Sequence, residues 1–65
     1  MTPKQHSYLE LCRKNGIEIQ RFDDNEFASM IADNVFVGET QLESVEGLIL
    51  KMDLDIPLFK DFSGQ

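Results

Sequence analysis

Asp23-Asp24-Asn25-Glu26-Phe27-Ala28-Ser29-Met30-Ile31-Ala32-Asp33-Asn34 is the stretch on which the fold turns. Phe27, Met30 and Ile31 stand at i, i+3 and i+4, a spacing that puts all three on one face of a helix. Asp23, Asp24 and Asn25 ahead of them offer side-chain oxygens to cap free N–H groups at a helix start. Asn34 suits its end. The spacing predicts a short second helix here, and the elements on either side are read around it.

Toward the N-terminus, the segment from Ile17 to Phe22 alternates apolar and polar residues, the period of a strand. Before it, Asn15-Gly16 supplies a left-handed stop, with Ile17 as the hydrophobic residue that closes such a cap. A first helix then runs from Pro3 to about Asn15. Thr2 and Gln5 make a capping-box pattern, and Pro3 occupies the first helical position, where its missing N–H costs nothing. Tyr8, Leu9, Leu11 and Cys12 form its apolar stripe.

Toward the C-terminus, Val35-Phe36-Val37 before Gly38 reads as a second short strand. Thr40-Gln41-Leu42-Glu43 repeats the capping-box pattern and opens a third helix to about Met52, with Leu42, Val45, Leu48, Ile49 and Met52 along one stripe. Gly47 within it costs about 1 kcal/mol relative to Ala. The apolar tail, residues 54–65, carries Leu58, Phe59 and Phe62 and packs on the core or on a partner. The expected fold is a small single α+β domain over residues 1–65, with three short helices and two short strands in the order α-β-α-β-α and a mostly helical core. Two strands flanking a helix would pair in parallel through a right-handed crossover.

A chain of 65 residues holds one domain. Domains of this size bury only about 60% of their unfolded-chain surface, so disulfides, a metal or a partner often supplement them. A lone Cys12 excludes an internal disulfide, and one His with one Cys cannot close a zinc site. His6 and Cys12 are the one nucleophile–base candidate, but six positions apart on a helix they face different ways. Cys12 is better read as a small buried hydrophobe, with His6 paired to Glu10. Asp23 to Glu26 resembles a fragment of a calcium loop but lacks the glycine and the distal glutamate. No catalytic residue, metal or cofactor is expected. No apolar run suits a signal peptide or a membrane span, so the expected location is cytoplasmic.

The six basic and twelve acidic residues sum to a net charge of −6, which speaks against direct nucleic-acid or membrane binding. The excess is localised. Residues 1–21 balance at +2 and residues 51–65 at −1, while residues 22–50 hold seven acids and no Lys or Arg. These acids are Asp23, Asp24, Glu26, Asp33, Glu39, Glu43 and Glu46. On the third helix, Glu39, Glu43 and Glu46 are expected in one row about 5–6 Å apart, comparable to phosphates along a strand. Leu50 falls among them, outside the apolar stripe, where an exposed leucine ringed by acids would suit a contact surface.

These residues predict a small non-enzymatic binding protein whose acidic middle docks on a basic protein surface. The expected partner is a nuclease or another nucleic-acid-handling protein, met as a stoichiometric inhibitor or nucleic-acid mimic of the anti-defence or immunity type, by analogy of class. The alternative is a structural or assembly subunit that forms a homodimer or larger assembly through the third helix and the tail, with Leu58, Phe59 and Phe62 as hydrophobic anchors.

Overall fold

Both ends of the first helix are built by local chemistry. Thr2 accepts the N–H of Gln5 at 3.1 Å while Gln5 accepts that of Thr2 at 2.9 Å, closing the capping box ahead of α1 (Pro3–Lys14). At its C-terminus Gly16 adopts φ +96°, Gly16 N–H donates to Arg13 and Ile17 N–H donates to Cys12, both through main-chain carbonyls. This double closure ends the helix and drops Ile17 into the core. A computed structural model describes residues 1–62, and residues 63–65 of the apolar tail lie outside the described residues.

The chain then makes three strands in succession, β1 (Glu18–Asp23), β2 (Glu26–Ile31) and β3 (Asn34–Gly38), followed by α2 (Gln41–Met52) and a single 3₁₀ turn at Phe59–Asp61. The sheet is an antiparallel meander in the order β1-β2-β3. The fold is therefore α+β with two helices and a three-stranded sheet, in the order α-β-β-β-α. The expected three helices, two strands and α-β-α-β-α order are wrong, and so is the parallel pairing.

The error lies in β2. Only six residues stand between the turn at Asp24-Asn25 and the turn at Ala32-Asp33, and a helix that short has too few hydrogen bonds to offset its nucleation cost. As the middle strand, β2 satisfies its backbone from both neighbours. Phe27, Ser29 and Ile31 point to one face and Ala28 and Met30 to the other. Because the outward residues Ala28 and Met30 are as apolar as the inward ones, no alternation marks the strand, and a chance i, i+3, i+4 spacing mimics a helix.

The helices cover one face of this sheet. α2 lies across β2 and β3, with α1 against α2. Two glycines permit the close approach. A Cβ on Gly47 would stand 2.1 Å from Cε1 of Phe36, and one on Gly38 would stand 2.7 Å from the Ser44 nitrogen. The buried cluster combines Tyr8, Leu9 and Cys12 of α1 with Ile17 and with Val45, Leu48 and Ile49 of α2. Ile19, Ile31 and Phe36 from the sheet pack against it, as do Leu54, Ile56, Leu58, Phe59 and Phe62 from the tail. α2 ends at Asp53, which takes the left-handed conformation at φ 53°, and Leu54 N–H donates back to the Ile49 carbonyl. This turn sends the tail back over α1, where the Tyr8 hydroxyl donates to the Pro57 carbonyl at 2.6 Å.

Candidate functional site

The hairpin register gathers carboxylates at one end of the sheet. Asp23 pairs with Glu26 across the β1–β2 turn, and Phe27 pairs with Gly38, so Glu39, the next residue, emerges beside Glu26. Asp23, Asp24, Asn25, Glu26 and Glu39 line an open depression of about 420 Å³. Like charges opposite one another across strands are destabilising, by up to about 1 kcal/mol. Arg21 on β1 is engaged by the turn itself: its guanidinium donates to the Asp24 carbonyl at 3.2 Å. Among the described residues the one ion pair is Glu10–Arg13, on α1. That pair also corrects the expected partner of Glu10, which is Arg13 and not His6.

The other acids are dispersed. Asp33 sits in the β2–β3 turn, at the opposite end of the sheet. Glu39 precedes the N-cap Thr40 and so is not a helix residue at all. Glu43 turns back into the helix start, where its carboxylate accepts the Glu39 N–H at 3.2 Å while its own N–H donates to Thr40 Oγ1 at 3.0 Å. A carboxylate there is also favoured by the helix dipole. Glu46 faces the tail and accepts the Phe59 N–H at 2.9 Å, fixing the start of the 3₁₀ turn. The three glutamates do not form one phosphate-like row, because each answers to a different backbone donor or to none.

Leu50 is 68% exposed, on the solvent side of α2. Phe59 and Phe62 pack their rings on Tyr8, with centroids 5.4 Å and 5.3 Å away, and Leu58 is half-buried beside them. Lys4 places its Nζ 5.6 Å from the centre of the Phe59 ring, within cation–π range.

The interior holds two ionisable groups. Burial, reinforced by the neighbouring Cys12 and Glu46 side chains, pushes the Tyr8 phenol well above its ordinary range. Burial likewise raises the Cys12 thiol. A fully buried thiol held protonated is a poor nucleophile. Among the described residues no three His, Cys, Asp or Glu side chains converge in a way that could hold a metal ion. No described helix is long and apolar enough to cross a membrane.

Sequence reasoning missed the face of the sheet that the helices leave bare. Phe22, Val35 and Val37 are 64%, 44% and 39% exposed, and Met30 on β2 pairs directly with Val35. The alternation in Val35-Phe36-Val37 carried the signal: Phe36 points to α2, so both valines must point away. That could be used only once β3 was known to pair with β2.

No protein-family model matches the chain, and neither a curated protein nor a solved structure matches it.

Proposed function

We propose that this chain is a small non-enzymatic binding protein that docks on a basic protein surface, that of a nuclease or another nucleic-acid-handling protein, as a stoichiometric inhibitor. The supporting observation is the sheet end, where Asp23, Asp24, Glu26 and Glu39 meet around one depression and none is ion-paired among the described residues. A fold that tolerates this self-repulsion presents a concentrated negative potential, which speeds encounter with a positive partner and rejects negative ones.

The test is capture from the source cell at low and high salt, identification of the captured protein, and affinity measurement with both components purified. Asp24→Lys, Glu26→Lys and Glu39→Lys together change side chains that the fold leaves unused, unlike Glu43 and Glu46. Their reversal is expected to weaken binding by roughly tenfold or more and to flatten its salt dependence. Undiminished binding by the reversed variant would refute the docking role of the acids.

A second reading, a self-assembling structural subunit, draws on exposed Leu50. It predicts a stable homo-oligomer in light scattering that tolerates the same charge reversals and is disrupted by Leu50→Asp.

A further inference from the structure

A three-stranded sheet has two faces, and here the helices occupy only one. The register assigns the sides. Ser29 bonds to Ser44 of α2, and its strand neighbours Ile19 and Phe36 belong to the same inner side. Two rows then lie on the outer side: Glu18, Met30 and Val35 in one, and Gln20, Ala28 and Val37 in the next. Ala28 is the smallest of these and is buried at the centre between Gln20 and Val37. Met30, Val35 and Val37 thus form a continuous apolar strip across β2 and β3. Phe22, at the bulge between Arg21 and Asp23, adds an exposed ring at the β1 edge. Isolated surface hydrophobes are ordinary, but adjoining ones on an uncovered sheet mark a contact surface.

The charges around the strip say what covers it. Glu18 flanks it at one end, and Glu26 with its cross-strand partner Asp23 at the other. No Lys or Arg stands in the outward rows. Lys51 reaches the β3 edge, where its ammonium donates to the Val35 carbonyl at 3.2 Å. That contact sets one cation at the β3 edge against the three carboxylates of Glu18, Asp23 and Glu26, so the strip is apolar at its centre and net negative around its rim. A second copy of this chain would bring carboxylate against carboxylate, and an anionic membrane would be repelled in the same way.

We propose that the outer sheet face is the docking surface for the basic partner, which contributes apolar side chains to the Met30–Val35–Val37 strip and Lys or Arg to the acids at its two ends. This rests on the docking reading above and adds the apolar contact to it. Charged rims steer and select, whereas buried apolar centres hold a complex together once formed. The acidic sheet end and the apolar strip then belong to one continuous interface.

The test places a photoreactive benzophenone side chain in the full chain at Val37, at Asp24, or at exposed Lys14 on α1 as the control, and irradiates each in lysate of the source cell. The expected result is that positions 37 and 24 mark the same protein and position 14 does not. The peptide marked from position 37 should carry apolar residues flanked by Lys or Arg. With that protein purified, Val35→Thr with Val37→Thr should weaken binding by roughly tenfold with an unchanged circular dichroism spectrum. Marking from position 24 alone would overturn the sheet-face proposal and leave the acidic docking reading standing. Marking of a second copy of the chain from position 37 would overturn the proposal in favour of self-association. Marking from neither position would remove both.

Discussion

The two faces of one sheet, made by the same three strands, have opposite fates. On the inner face the central residues answer to the helical layer: Phe36 fits against Gly47, Ser29 bonds to Ser44, and Ile19 and Ile31 pack on the central cluster. On the outer face Met30, Val35 and Val37 have only one another and the other strand residues as neighbours, with Val35 and Val37 left 44% and 39% exposed. A 65-residue domain has little apolar surface to spare, so leaving part of it open means that stability is concentrated in the inner layer. Substitutions on the two faces should therefore separate cleanly into those that unfold the protein and those that leave it folded.

The largest such effect is expected at Ser44. Its hydroxyl lies 2.7 Å from that of Ser29 and 2.8 Å from the Gln41 carbonyl, and both serines are fully buried. Ser44 has one hydroxyl proton, and if it donates to Gln41 then Ser29 must donate to Ser44. Ser44→Ala strands the Ser29 hydroxyl in the core and should cost about 1–3 kcal/mol in urea unfolding, whereas Ser29→Ala, which leaves Ser44 satisfied by Gln41, should cost less. The double variant should cost less than the sum of the two singles. Equal costs for the singles, with strict additivity, would show that the pair is not the tie between α2 and the sheet.

Gly47→Ala comes next. In an isolated helix this change stabilises by about 1 kcal/mol. Here the new methyl would stand 2.1–2.5 Å from three atoms of the Phe36 ring, and overpacking of this kind costs about 1–3 kcal/mol. The net expectation is destabilisation of about 1 kcal/mol, read from the urea midpoint at unchanged slope. Pairing it with Phe36→Leu should recover part of the loss, because the smaller side chain makes room. A Gly47→Ala variant more stable than the parent would show that the ring yields freely and that the inner face is looser than its packing indicates.

Gly47 also marks where the sequence could be read and where it could not. As a residue in a helix it looked like a local weakness; its role as a landing site for Phe36 depends on β3 lying beneath α2, a long-range fact. α1 was legible because both its ends are written in adjacent residues, Thr2 with Gln5 and Asn15 with Gly16 and Ile17. β2 was not, since what makes it a strand is the pairing of β1 and β3 on either side. The acids divide in the same way. Their confinement to residues 22–50 could be counted, but the hairpin register that brings Glu26 and Glu39 together is not local. The expected row of Glu39, Glu43 and Glu46 failed because a helical wheel does not know that Thr40 is the cap or that Glu46 will find the Phe59 N–H.

The smallest effect on folding should come from the outer face. Val35→Thr and Val37→Thr keep the β-branched shape that suits a strand and replace a methyl by a hydroxyl that water can reach at 44% and 39% exposure. Surface changes of this type fall within about 0.5 kcal/mol, so the urea midpoint of the double variant should match that of the parent within error. A loss of more than about 1 kcal/mol would mean that the outer strip already stabilises the isolated fold, and the contrast between the two faces would collapse. If stability is unchanged, conserving Val35 and Val37 has no benefit to folding. Any loss of partner affinity in the same variant must then be assigned to the interface, because the inner layer that holds the strands in register has not been touched.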